Sequence, residues 1–314
     1  MLNRFYYGCT PRDDSSYMAL LDRLSGSKPN SEYTSSLPLV QIWKPDSKGY
    51  ERLKRWFAQD QELNGFCVEE AEKVFEHATP ILDGFGTGKP SMTDLMLEHE
   101  NTSYKIAIEA KFKEVFERYE TIGKWFDKGL TKKNLTQDVK ARIHENRLRV
   151  LSGWLRDVVG DNDLVKSDVS LDPMLRIDPK LLKVPYQFLH RAAAACRNMN
   201  GKCKPIVIYM IFWNRKVDNS KTTKKADGQI KRKYFIDRLW DAYDVLQGCG
   251  ATFTLKICEI ETILLEDQVP SKSELGELYI KMKGNEEIYQ FEKIATVQRT
   301  PKLAMGSAPM DRKC

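Results

Sequence analysis

Hydrophobic and polar positions change period several times along the chain, and each change marks an element. Pro38 to Trp43 (PLVQIW) is a short apolar run that predicts a strand, after a Ser-rich loop from Ser25 to Ser36. From Tyr50 to His77 the spacing predicts helix, with a break at Asn64-Gly65. A Gly/Pro-rich connection, Pro80 to Pro90, leads into two runs of strand character. These are Thr93 to Leu97 and Tyr104 to Phe112, separated by the polar turn His99 to Ser103. A charged, helix-like stretch runs from Lys113 to about Val159, and an irregular Asp/Pro-rich segment extends to Pro185. Tyr186 to Arg197 (YQFLHRAAAACR) predicts a helix, since its four alanines favour that state and nothing interrupts it. Pro205 to Trp213 (PIVIYMIFW) has the composition of a strand buried on both faces. An amphipathic helix over Tyr234 to Leu246 and a strand over Ala251 to Ile260 follow, and Thr300 to Cys314 predicts a mobile tail. There is no internal repeat and no heptad pattern. The interleaved order predicts a mixed α/β domain around one central sheet.

Composition narrows the class. At 41% hydrophobic and 10% aromatic residues the chain can bury a sizeable core, which excludes global disorder. The longest strongly apolar run, Ile206 to Trp213, is far too short to span a bilayer, and Met1 to Asp14 carries no apolar signal core. Seven cysteines form no CxxC pair and no even framework, which predicts reduced thiols and a cytoplasmic location. The four histidines show no HxH or HExxH spacing, and no partner set supports thiol catalysis. Gly84 to Ser91 (GFGTGKPS) fails as a phosphate-binding P-loop: Asp83 stands where the first glycine belongs, and Pro90 replaces the hydroxyl residue.

Chemistry concentrates on the strand from Tyr104 to Phe112. With period two, Ile106, Ile108, Ala110 and Phe112 share one wholly apolar face, and Ala107, Glu109 and Lys111 share the other. Asp94 lies 15 residues before Glu109, and a short antiparallel pairing brings the two together. Converging carboxylates repel unless a cation sits between them, and oxygen ligands suit a hard ion such as Mg2+, with Mn2+ as a substitute. Such an ion assists phosphodiester cleavage, and a neighbouring lysine orients the attacking water or stabilises the pentavalent state.

Asp94 followed by Glu109-Ala110-Lys111 on an apolar strand resembles the PD-(D/E)XK nuclease superfamily, the restriction-endonuclease-like fold. Proline does not stand directly before the aspartate here: the local sequence is Pro90-Ser91-Met92-Thr93-Asp94. The resemblance covers about Phe66 to Trp213 in the order helix, three strands, helix, strand, with the first helix expected over Val68 to His77. It implies that Asp94, Glu109 and the Ala110 carbonyl hold the metal and that Lys111 positions the water. It further implies an acid from the first helix. Glu70 fits, bordered by Phe66, Cys67 and Val74. A polar residue on the later helix is expected at the metal-bound water or the scissile phosphate, a role that Gln187 and Arg191 match, with helix capping the plain alternative.

The formal charge of +6 matters through its distribution. Arg215, Lys216, Lys221, Lys224, Lys225, Lys231, Arg232 and Lys233 face only Asp218 and Asp227 across a segment that predicts a basic loop over 214–233. Such an arm tracks a phosphate backbone, or simply stays solvated. The organisation expected is an N-terminal extension over 1–60, a nuclease domain over 61–297 with a helical insertion at 113–185, and the tail over 298–314. The activity expected is Mg2+-dependent endonucleolytic hydrolysis of double-stranded DNA, of a restriction or defence kind, with a symmetric homodimer if both strands are cut. Two alternatives stay open. One is a nucleic-acid-binding module without cleavage; the other is a nuclease for RNA or single strands, with Trp125, Trp154 or Trp213 stacking on bases.

Overall fold

Seven strands lie side by side in chain order in one mixed sheet. The computed structural model describes residues 3–8, 15–25, 35–79, 91–99, 104–112, 120–130, 135–160, 164–197, 203–214, 224–265 and 277–299. The strands are β1 (Arg4–Tyr7), β2 (Glu72–Thr79), β3 (Ser91–Glu98), β4 (Tyr104–Lys111), β5 (Lys204–Asn214), β6 (Thr254–Leu264) and β7 (Tyr289–Thr296). β1 pairs parallel to β2; β2, β3 and β4 form an antiparallel meander; β4, β5 and β6 run parallel; β7 closes the far edge antiparallel.

Helices cover both faces, giving an α/β protein of three layers. On one side lie α1 (Tyr17–Ser25), α2 (Ser36–Ile42), α3 (Lys48–Gln59) and α8 (Leu278–Lys283). They pack on Phe75, Leu95, Ile106, Ile108, Ile208 and Cys258. On the other lie α4 (Ile122–Asp127), α5 (Gln137–Val159), α6 (Tyr186–Cys196) and α7 (Lys224–Gly248). These pack on Val74, Met96, Ala107, Val207, Tyr209 and Ile257. Residues 1–60 therefore supply the edge strand β1 and three helices of one layer. The expected insertion contributes α4 and α5, with α5 lying against α6. Among the described residues no helix is long and apolar enough to cross a membrane.

Local chemistry accounts for the elements that frame the site. The Ser47 hydroxyl caps α3 by accepting from the Tyr50 N–H at 3.1 Å, and Leu53, Trp56 and Phe57 then face the core. Thr136 caps α5 in the same way, and Gly160, at φ +81°, ends it. Ala192 to Ala195 are all buried, and their small side chains let α6 approach β3, β4 and β5 closely. Both faces of β5 are buried as its composition predicts.

Three expectations are corrected. Residues 38–43 form helix α2 rather than a strand: Leu37 and Val40, and Leu39 and Ile42, repeat at helical spacing, and Pro38 sits in the first turn where its missing N–H is harmless. The buried Gln41 ties this helix to β7, accepting from the Ile288 and Tyr289 N–H groups at 2.9 and 3.0 Å. Residues 72–77 belong to strand β2 rather than a helix, with Val74 and Phe75 facing opposite cores. The helical charge pattern of this segment yields to its place in the sheet, where Lys73 is wholly buried. The basic segment is a loop only in part, since α7 begins at Lys224. Strands β1 and β7, at the two edges, carry no marked apolar run and were not expected. The loop at 26–34, the connection at 80–90, the turn at 100–103, Arg215 and Lys216, and the tail from 300 lie outside the described residues.

Candidate active site

Asp94 and Glu109 meet because of strand register. Leu97, Met96 and Leu95 pair with Ile106, Ala107 and Ile108, so one further step along β3 and β4 sets Asp94 against Glu109. The backbone ladder stops at Leu95 and Ile108, and the Asp94 side chain takes over: the Ala110 N–H donates to Asp94 Oδ2 at 2.9 Å. On β2, Phe75 pairs with Leu95 and His77 with Thr93, which brackets Glu76 opposite Asp94. Glu76, Asp94 and Glu109 thus stand in a row across three strands on one sheet face. Glu76 has φ +49°, a left-handed conformation uncommon for a residue with a side chain.

Two cations complete the cluster. Lys111, two residues after Glu109 and on the same face, pairs through Nζ with Glu109 Oε1. Arg191 reaches in from α6; its Nε donates to Glu109 Oε2, and its Nη2 lies 3.7 Å from Asp94 Oδ1. Glu109 is 1% exposed and Arg191 5%, whereas a quarter of the Asp94 side chain reaches solvent. Arg191 Nη1 also lies 2.8 Å from His190 Nδ1. Burial, together with Arg191 and Lys111, holds His190 well below the ordinary histidine value, so its ring is neutral and offers a lone pair.

The charges do not share the burden evenly. Burial first, and the Glu109 carboxylate second, push Asp94 up to about 7 against the pull of Arg191 and Lys111. Burial also raises Glu76, with Arg191 opposing and Glu109 adding to the rise. Burial works against the Glu109 carboxylate too, yet Arg191 and Lys111 more than offset it and hold Glu109 below the usual glutamate range. Burial likewise disfavours the Lys111 and Arg191 cations, but the two acids raise both. Three acids against two cations leave one negative charge when all are ionised, which adds, through Glu109, to the larger effect of burial on Asp94 and Glu76.

Of the residues expected in the site, Asp94, Glu109, Ala110 and Lys111 come together as a unit. Glu70 does not: it is exposed and bonded to His99 at 3.2 Å, because its segment leads into a strand and turns its side chain outward. Glu76 is the acid that β2 delivers, and the alternation of Val74, Phe75, Glu76 is the signal that a strand reading of this segment would have caught. Gln187, half-buried, lies one turn before Arg191 on α6; among the described residues it makes no side-chain hydrogen bond to the cluster. Arg191, expected to hold nucleic acid, is buried against the acids instead. Arg232 pairs with Glu259 at 2.9 Å and lies 4.8 Å over the Trp213 ring, while Lys233 is exposed. Lys224, Lys225 and Lys231 fall within α7. Trp154 is buried and packs on His190 at 5.4 Å, and Trp125 stacks on Tyr186 at 6.0 Å, so both rings pack on α6.

Among the described residues no three His, Cys, Asp or Glu side chains converge closely enough to enclose an ion by themselves. Magnesium does not require that: it keeps several waters and is commonly bound through one or two carboxylates. The carboxylates of Asp94 and Glu109 are hard oxygen donors of the kind such an ion takes.

No curated protein and no solved structure matches the chain. A family described as a domain of unknown function, DUF6946, matches residues 15–224, from α1 through the acidic cluster, α6 and β5 to the first residue of α7. The chain belongs to the DUF6946 family.

Proposed function

We propose that the chain is a divalent-cation-dependent nuclease of the PD-(D/E)XK type that hydrolyses phosphodiester bonds in DNA. The observation that carries this reading is the convergence of Asp94, Glu109 and Lys111 on one sheet face, where β3 and β4 part. The order α3, β2, β3, β4, α6, β5 supports it as well, being helix, three strands, helix, strand, with α3 in the place first assigned to residues 68–77. Asp94, Glu109 and the Ala110 carbonyl would hold Mg2+, with Mn2+ as a substitute. A bound cation of this kind polarises a phosphoryl oxygen, activates water and offsets developing charge. Lys111 orients the attacking water and stabilises the charge that builds on phosphorus. Glu76 replaces Glu70 as the third acid beside them. The basic stretch from Arg215 to Lys233 supplies the phosphate-backbone contacts, and cutting both strands of a duplex calls for a symmetric dimer.

A second reading, a nucleic-acid-binding module of the same fold, is favoured by one observation. Lys111 and Arg191 already occupy both oxygens of Glu109. One experiment separates the two. Wild type and Lys111→Ala are incubated with plasmid, single-stranded DNA and RNA, with Mg2+ or EDTA. Cleavage by wild type alone, and only with Mg2+, is expected. Cleavage that persists in EDTA or in the variant removes the proposed centre, and binding without cleavage selects the module.

A further inference from the structure

Arg191 stands where the proposed cation belongs. Its guanidinium lies between the two carboxylates assigned to the ion, bonded to Glu109 Oε2 and 3.7 Å from Asp94 Oδ1. Glu109 has no idle oxygen, because Lys111 holds Oε1. An ion bound at about 2.1 Å from the same oxygens would press a divalent charge against a guanidinium that is itself buried beside Glu109, where water screens little. The other groups facing Arg191 are Lys111 from β4, neutral His190 from α6, Tyr209 from β5 and, through its charge, Glu76 from β2, the one further acid toward which a displaced guanidinium can turn.

We infer that Arg191 is a built-in counter-cation that competes with the divalent ion for Asp94 and Glu109, so that ion binding expels its guanidinium from between them. This rests on the metal-dependent reading above. Without the ion, Arg191 keeps two converging acids from repelling each other and so holds the centre assembled. With the ion in place the guanidinium is released at the mouth of the site. Its planar fork suits bidentate bonding to a phosphate. Linkage makes the antagonism reciprocal: a phosphate that draws Arg191 outward tightens the ion, and the ion frees Arg191 for the phosphate. Cation and nucleic acid then bind cooperatively, and the centre is fully armed only when both are present.

The test titrates Mn2+ into the full chain by calorimetry, without nucleic acid, for wild type, Arg191→Gln, Arg191→Lys and Asp94→Asn. Circular dichroism checks that each variant folds. Arg191→Gln is expected to bind Mn2+ about tenfold tighter than wild type or more, and Arg191→Lys, which cannot span both acids, to bind several-fold tighter by the same logic. Asp94→Asn is expected to abolish binding. Unchanged or weaker binding in the Arg191 variants, with binding still lost in Asp94→Asn, overturns the competition and leaves the metal site standing. If Arg191→Gln does not fold, Arg191→Lys carries the same decision. Mn2+ binding that is absent, or indifferent to Asp94→Asn, overturns the metal reading and the competition with it.

Discussion

Lys73 offers a test of the fold that is independent of any activity. It is wholly buried on β2 and paired in register with Phe5 of the edge strand, and its Nζ lies 5.5 Å from the Phe5 ring centroid. The ammonium donates to the Val68 and Ala71 carbonyls at 2.7 and 2.8 Å. Burial pushes this lysine from 10.5 down to about 7, against the opposing pull of Glu69 and Cys67. The unfolded chain keeps the proton up to about 10.5 and the folded chain releases it near 7, so between those values the unfolded state binds more protons. Stability therefore rises with pH across that window and is flat on either side of it. Between pH 6 and pH 9 the two proton affinities give a gain of about 2–3 kcal/mol from this side chain. Lys73→Met fills similar space without a titrating group. Guanidinium unfolding of both proteins at unit pH intervals from 6 to 9 isolates the Lys73 contribution, because every other group is shared. Wild type should gain on the variant by that amount as pH rises. Parallel profiles would refute the reasoning and mean that two carbonyls and an aromatic face solvate the ammonium as well as water does.

Three further outcomes follow from packing and charge. Glu109→Gln strips the counter-charge from buried Lys111 and Arg191, and chemical denaturation should register a loss of about 3–5 kcal/mol, with the proposed cleavage abolished as well. Gly49→Ala places a Cβ 2.6 Å from Phe291 Cδ2; the overpacking should destabilise by about 1–3 kcal/mol, and Phe291→Leu in the same chain should recover part of it. Glu76→Gly removes a left-handed side chain on β2 and should stabilise the protein by about 1 kcal/mol while lowering the proposed nuclease activity; a thermal melt and a plasmid assay on one preparation read both.

The parts of the molecule legible in the sequence are those whose pattern is local. The strand Tyr104–Lys111 shows its two faces by alternation, Lys204–Asn214 is an unbroken apolar run, and the alanines of Tyr186–Cys196 leave little besides helix. Residues 72–79 were not legible because their sheet identity is tertiary. A glutamate and a lysine in this strand are buried between neighbouring strands, Glu72 beside Arg4 and Lys73 under Phe5, and β1 comes from nearly seventy residues earlier. Residues 36–42 are too short for their period to separate helix from strand. At the site, the spacing of Asp94, Glu109 and Lys111 was readable, since register follows from two short strands and a turn. The inward aim of Arg191 was not: i,i+4 spacing to Gln187 shows only that they share a helix face, and the acids it seeks lie on other elements.

Several of the sheet's irregularities coincide along the acidic row, apart from the register shift at Glu261/Thr262 between β6 and β7. The β3–β4 ladder ends one residue short of Asp94 and Glu109, the Ala110 N–H bonds a side chain of β3 rather than a backbone carbonyl, and the one described non-glycine strand residue with positive φ is Glu76. Each carries a cost: a missing ladder bond, a strained backbone, and ionised groups taken out of water. Apolar side chains at these positions would pack the α6 layer onto the sheet as they do at Ala107, Val207 and Ile211, and replacing buried ion clusters in this way often leaves a protein equally or more stable. The cluster is therefore poorly explained as a stabilising device. Strain, interrupted pairing and unbalanced charge in one place are what a protein tolerates where its chemistry requires them, and this sheet gathers them along a single line from Glu76 to Glu109.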